Sequence, residues 1–299
     1  MKKIVWALDY SGMTPALGRR VTAMLRTLSH SDEVVIQPVS VVNESPSLGR
    51  LPDYFVEQVA ESLRKLAAQS GLDNVLEPKL LFCRAPSQRK SVEVLVNFAR
   101  KSQADAIVVA SFSRRGMSRW FLGSFAETLI MQSPVPIVVV NPKNRVQGKV
   151  DHILVPVGNA SRAKVMFGRV VGLAKDLGAK ITILGQIDFP VLPSAYYQDF
   201  VGPEGQVSFD SYIEKNKKKL RMELTKLRDL AQKKGVKAKV EIGTEVVGIA
   251  EKILFFAEQN KVDLIAMGNE SGPIGSVLLG SVSREVVRKA QIPVWIVHQ

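Results

Sequence analysis

Residues 105–140 read DAIVVASFSRRGMSRWFLGSFAETLIMQSPVPIVVV, and residues 263–297 read DLIAMGNESGPIGSVLLGSVSREVVRKAQIPVWIV. Each stretch is an apolar strand, a small-residue loop, the pair Gly-Ser, a helix, a Pro-containing turn and a second apolar strand. Asp105 aligns with Asp263 at an offset of 158 and Gly123 with Gly280 at 157, so the second loop is one residue shorter. A single repeat at this distance predicts two related domains, not a solenoid of stacked units.

The openings of the two halves agree as well. KKIVWALDYS (Lys2–Ser11) matches DHILVPVGNA (Asp151–Ala160) at an offset of 149. About nine residues are therefore added in between, and they fall most naturally at 188–207, DFPVLPSAYYQDFVGPEGQV, which has Pro, Gly and no helical period. The reading is a first domain at 1–142, a linker at 143–150 and a second domain at 151–299. A chain of 299 residues gives each domain enough length to bury its own core.

No apolar run approaches the roughly 20 residues that span a bilayer. The basic start MKKIVWALDYSG is interrupted by Asp9 and reads as a strand, not a signal peptide. Cys83 is the one cysteine, which excludes an internal disulfide and suits a reducing cytoplasm. The net charge of +13 raises the question of nucleic acid. Yet residues 1–147 carry 19 Lys/Arg against 12 Asp/Glu and residues 148–299 carry 22 against 16, so the surplus is even, at +7 and +6. Its densest cluster is Lys215–Arg221. Leu220, Leu224, Leu227 and Ala231 fall at helical spacing there, which makes the lysines the solvated face of an amphipathic helix. An anion-binding surface for nucleic acid or lipid headgroups is the alternative.

Patterning gives the same order of elements twice. Strands are expected at 3–9, 34–42, 76–83, 105–110 and 136–140, then at 152–157, 180–187, 236–242, 262–267 and 293–297. Helices are expected at 14–29, 53–70, 88–103 and 123–132, then at 161–177, 208–234, 245–260 and 280–290. Continuous apolar runs such as AIVVA, PIVVV and LIAM suit strands covered on both faces. Alternating βα units predict parallel strands with right-handed crossovers, and ligands at the carboxyl ends of the strands. The fold class is thus α/β: two similar domains, each an open, five-stranded, mainly parallel, Rossmann-like sheet flanked by helices.

The loop after the fourth strand has its own chemistry. Small residues let the backbone approach a ligand, and a Gly-Ser pair opening a helix presents N–H groups at its positive end, which suits phosphate. In the first half the candidates are Ala110, Ser111, Ser113, Gly123 and Ser124, with Arg114, Arg115 and Arg119 adding charge. In the second they are Gly268, Ser271, Gly272, Gly280, Ser281 and Ser283. The plainer alternative is that Gly-Ser caps a helix after a tight turn.

These segments resemble the universal stress protein family in tandem form, over essentially the whole chain. LVPVGNAS, IAMGNES, LLGSVSREVVRKAQIPVWIV and FLGSFAETLIMQSPVPIVVV carry the likeness. ATP-binding members have Gly, two residues, Gly, nine residues and Gly-Ser/Thr after the fourth strand, with an Asp ending the first. The resemblance implies that Asp9 holds the nucleoside and that the backbone of Val39 meets adenine. Ala110 and Ser113 replace the two glycines of the first half, with the spacing from Ser113 to Gly123 kept. The second half keeps Gly268 and Gly280-Ser281, but Ser271 or the shifted Gly272 stands at its second glycine and Gly158 at its acidic position. Each half holds part of a site.

What the resemblance implies is a cytoplasmic stress-response regulatory protein that binds ATP, with Mg²⁺ accompanying the triphosphate, and meets protein partners. Its halves would pair through the fifth strands as an intramolecular pseudo-dimer. The alternative is a nucleotide-free signalling or scaffold protein, and third comes an enzyme acting on the α-phosphate of ATP. The sequence shows no nucleophile with a partnering base and no metal-ligand spacing, which points away from an enzyme, weak ATPase activity aside. No GxxxxGK or GxGxxG is present. His30, His152 and His298 have no metal spacing and read as solvated or capping groups. Cys83 reads as an inert core thiol, and Glu127 and Glu285 as carboxylates near helix starts. Phe189, Tyr196, Tyr197 and Phe200 at 188–207 suggest either a packed loop or a lid or partner-docking surface beside the crevice.

Overall fold

The computed structural model describes residues 1–8, 14–31, 33–44, 51–84, 87–111, 123–146, 148–186, 203–243, 248–268 and 280–297. In the first half, the chain runs β1 (Lys3–Ala7), α1 (Pro15–Leu28), β2 (Val35–Asn43), α2 (Asp53–Gln69), β3 (Lys79–Cys83), α3 (Gln88–Lys101), β4 (Ala106–Ala110), α4 (Ser124–Gln132) and β5 (Ile137–Val140). The second half repeats the order: β6 (His152–Val157), α5 (Ala160–Leu177), β7 (Lys180–Gln186), α6 (Pro203–Lys233), β8 (Ala238–Gly243), α7 (Ile249–Gln259), β9 (Leu264–Gly268), α8 (Ser281–Lys289) and β10 (Val294–Val297). None of these helices is long and apolar enough to cross a membrane.

Local chemistry explains several boundaries. Thr14, Ser87 and Asn159 each accept an N–H of the first turn and so start α1, α3 and α5. Gly178, at φ +68°, ends α5 in the left-handed conformation that favours glycine. Pro78 cannot donate to a ladder, and β3 begins one residue after it, later than the apolar run suggests. The expected non-helical stretch 188–207 is corrected at its end, because α6 already begins at Pro203. Proline in the first turn followed by Glu204 is a helix-start signal that the composition of the loop obscures.

All ten strands lie in one sheet, in the order β3-β2-β1-β4-β5-β10-β9-β6-β7-β8. Within each half the ladders are parallel. The exception is the junction, where β5 and β10 pair antiparallel with Val138 opposite Trp295. Helices α1, α2, α5 and α6 cover one face over a core containing Trp6, Val108, Val138 and Trp295. Helices α3, α4, α7 and α8 cover the other over Ile107, Ile137, Ile265 and Ile296. Both cores run without a break across the junction, which is the reason these strands carry no polar face.

One carboxylate sets the same register in each half. Asp105 Oδ2 accepts the N–H groups of Lys2 and Lys3 at 2.6 and 3.0 Å. Asp263 Oδ2 accepts those of Asp151 and His152, both at 2.9 Å. The segment between the halves is bound, not free. Asn141 Nδ2 donates to the carbonyls of Val287 and Ala290, Asn144 Nδ2 also reaches Ala290, and Arg20 Nε donates to the Asn144 carbonyl. Asn141 and Asn144, at the end of the first half and the start of the joining segment, are both buried.

Candidate functional site

In the order 3-2-1-4-5, the chain leaves β1 toward one edge of the sheet and β4 toward the other. Their carboxyl ends therefore diverge and open a crevice, and the same geometry recurs between β6 and β9. β1 ends at Ala7, level with Val39 on β2 and Val109 on β4. Val39 is buried in mid-strand, because β2 continues to Asn43, and its carbonyl accepts the Leu8 N–H at 2.8 Å.

In the first half the base of the loop is closed by Ser111. Its N–H donates to the Val140 carbonyl at 2.8 Å, and its Oγ accepts the Gly123 N–H at 3.4 Å. That pair of bonds brings Ala110, the last residue of β4, and Gly123 to one strand end, although they are 13 positions apart in sequence. Gly123 takes the N-cap position of α4 with no side-chain hydrogen bond, and Ser124 follows, exposed. In the second half the closure is made from the opposite direction. Ser283 Oγ donates to the Gly268 carbonyl at 3.4 Å, and Ser283 is only 5% exposed, so its hydroxyl is engaged in holding the loop. Gly280 is the N-cap of α8, again without a side-chain bond, and Ser281 is exposed.

These starts differ from the starts of α1, α3 and α5, where a side-chain oxygen takes a first-turn N–H. Among the described residues no side chain does so at α4 and α8, nor at α2 and α7, and the first-turn donors and the positive ends of the α4 and α8 dipoles face the carboxyl edge. The arrangement can receive an anion at either switch point. Asp9, Ser113, Ser271 and Gly272 lie outside the described residues, as do Arg114, Arg115 and Arg119. The aromatics Phe189, Tyr196, Tyr197 and Phe200 lie outside them too. Among the described residues, no group of three His, Cys, Asp or Glu side chains could hold a metal ion.

Three readings change. Of the two expectations for His152, the solvated one is overturned: it is buried, its Nε2 meets Thr182 Oγ1 at 2.7 Å, and its Nδ1 meets the carbonyl of Asn260, the C-cap of α7, at 3.2 Å. Burial, and then the nearby Lys180 ammonium, hold its imidazole below the ordinary pKa. Glu127 does more than favour a helix start, since its Oε1 receives Arg284 Nε at 2.8 Å from the other half. Glu285 is paired with Lys289 at 2.5 Å, which holds its carboxyl below the usual carboxylate range. The alignment alone carried a hint of the first pair, because Glu127 and Arg284 are equivalent positions with opposite charge. Cys83 is buried at the end of β3, as a core thiol should be.

The fold defines a class: a duplicated open-sheet α/β protein with a topological switch point at the carboxyl edge of each half. The chain belongs to the universal stress protein family, whose profile matches residues 1–141 and again residues 149–298. A universal stress protein of Methanocaldococcus jannaschii is 31% identical over 149 residues, which is 49% of this chain and 81% of that protein. Over 99% of the chain, the fold is similar to two solved structures. One is a universal stress protein from Archaeoglobus fulgidus, at 18% identity, a TM-score of 0.62 and 96% of its length covered. The other is a putative universal stress protein from Pseudomonas aeruginosa, at 11% identity, a TM-score of 0.64 and 93% covered.

Proposed function

We propose that this chain is a non-catalytic stress-response regulator of the cytoplasm that binds ATP at the strand-end crevice of its first half. The observation that carries the reading is the pair of glycine helix starts at the two switch points, neither engaged by a side-chain cap among the described residues. Asp9 supplies the carboxylate for the nucleoside, Gly123 the close backbone approach, Ser124 the phosphate donor, and Val39 the level of the adenine. Mg²⁺ would arrive with the triphosphate. In the second half Gly158 offers no carboxylate, so Gly268, Gly280 and Ser281 suit a smaller phosphate-type anion. The domains in this reading are 1–142 and 151–299, with 143–150 joining them, and the β5–β10 pairing is the single-chain counterpart of a homodimer.

The test is to denature the purified protein, identify any nucleotide released, and titrate ATP into the emptied chain with and without Asp9→Ala. A charge-assisted hydrogen bond is worth about 1.5–3 kcal/mol, so Asp9→Ala should weaken ATP roughly 10- to 150-fold. Steady release of hydrolysed product, abolished by Asp9→Ala, would favour an enzyme instead. Absence of ATP binding at millimolar concentration would favour the second reading, a nucleotide-free scaffold, for which Ala110 and Ser113 in place of glycines speak.

A further inference from the structure

The layer of α5 and α6 carries a surface that the nucleotide reading does not use. Helix α6 is 31 residues long, or about 46 Å. Its buried Leu224, Leu227 and Ala231 turn Lys215, Lys218, Lys219, Arg221, Met222 and Lys226 outward, and all six are exposed. Among the described residues none of these five cations joins an ion pair, whereas the adjacent Lys217 and Arg228 are held by Glu214 and Asp229. Beside α6 packs α5, where exposed Arg162, Lys164 and Arg169 surround Val165.

The two helices are level with one another. Both lead into strand starts at one sheet edge, where Ile181 of β7 pairs with Ala238 of β8. Val165 stands 12 residues before the end of α5 and Met222 stands 11 before the end of α6. At 1.5 Å per residue, both lie about 17 Å above that edge. They are 61% and 57% exposed, and they are the exposed large apolar side chains of this layer among the described residues. The equivalent layer of the first half is less cationic: α1 and α2 together carry five basic and three acidic residues, against twelve and six on α5 and α6. Helix α2 carries three acidic and two basic residues, against five and eight on α6. Its Arg64 is held by Glu57, Glu61 and Glu77, and its guanidinium pKa is raised accordingly.

We propose that the α5–α6 face docks on an anionic phospholipid bilayer. Two side-by-side helices offer a flat contact, clustered ammonium groups match the headgroup charge, and two aliphatic tips at one height reach the interface. Single-stranded nucleic acid would call for stacking aromatics, and among the described residues the two exposed apolar side chains of this layer, Val165 and Met222, are not aromatic. With this face down, the carboxyl edge and both crevices stay open at the side, so docking and ligand binding are compatible.

The test is co-sedimentation of the full chain with vesicles of phosphatidylcholine alone or mixed with phosphatidylglycerol. The expected result is binding to the mixed vesicles only, falling as salt rises. Triple substitution Lys218→Ala, Lys219→Ala, Lys226→Ala should weaken it roughly fivefold per lysine, about 100-fold in all. Arg89→Ala, Arg100→Ala, Lys101→Ala removes equal charge from the exposed side of α3 and should leave binding within about twofold, since that face lies beyond a screening length. All six side chains are exposed, so unchanged thermal melting is expected of both variants. Failure of the native chain to bind mixed vesicles, or an equal loss in the α3 variant, overturns the proposal. So does tighter, lysine-dependent binding to a duplex DNA fragment, which would assign the face to nucleic acid.

Discussion

The two halves agree where they hold the sheet and disagree where they meet anything else. Asp105 and Asp263 make the same pair of hydrogen bonds to the start of the first strand. Gln103 and Lys261, after α3 and α7, even share the left-handed conformation that non-glycine residues rarely adopt, at φ +54° and +48°. By contrast α2 and α6 hold equivalent places with opposite net charge, and the two loop bases are closed by serines acting in opposite senses. Duplication has kept what specifies the backbone and released the surfaces. Acceptors for strand ends have one geometric solution, whereas a solvated helix face has many.

The largest expected effect comes from removing Trp295, which packs opposite Val138 of the other half. Trp295→Ala should cost about 3–5 kcal/mol. Because the cores are continuous, chemical denaturation should still show one transition, displaced as a whole. A split into two transitions would show that the halves unfold independently. Next comes Gly185→Ala on β7, whose new Cβ would run into the buried Leu224 of α6 and crowd Leu220. A loss of about 1–3 kcal/mol is expected. The equivalent residue of the first half is Ser40, already carrying a Cβ, and Ser40→Ala should cost less. Equal losses at the two sites would remove packing of α6 as the reason for the glycine.

A smaller effect is expected at the cross-half ion pair. Glu127 and Arg284 are partly exposed, so Glu127→Arg should cost about 1 kcal/mol or less in melting experiments. The swap Glu127→Arg with Arg284→Glu should recover it, and failure of the swap would mean that helix context, not the pair, sets the preference. The last effect is a slope with pH. His152 has its folded pKa lowered by burial first and by Lys180 second, so the unfolded chain takes up the proton more readily. The stability it confers is complete above pH about 6.5 and is lost as pH falls below that toward the folded value. His152→Gln should flatten this part of the curve. The corresponding residue of the first half is Lys3, so the slope belongs to the second half alone; persistence of the slope in His152→Gln would refute that assignment.

Much of this fold was legible because the strands are short apolar runs and the helices have a clear period, so most boundaries agree within two residues. What escaped was set by distance in sequence. The anchoring of 141–150 rests on Asn141 and Asn144 bonding Val287 and Ala290, some 146 residues away, and no local pattern announces such bonds. His152 read as solvated or capping, and its burial was not visible because its partners Thr182 and Asn260 are supplied by other elements. The start of α6 was hidden by the Pro- and Gly-rich sequence before it. Of the site, pattern located Ala110, Gly123, Gly268 and Gly280 at their strand and helix ends. It did not foresee that the Ser283 hydroxyl closes the loop, because a serine one turn into a helix is equally suited to a ligand.

Equivalent positions of the halves meet each other near the junction, and there each can be written twice. Glu127 touches its own counterpart, Arg284, and Val138 stands opposite its own counterpart, Trp295. In an assembly of identical subunits such positions must be self-complementary. Here two copies of the first half would oppose glutamate to glutamate, and two copies of the second would force arginine on arginine and indole on indole. The contacts at the junction thereby favour unlike halves over like ones. Expressed as separate polypeptides, the halves should prefer one another in one-to-one ratio over the matched pairs, a pairing bias that places two unlike switch points in every molecule.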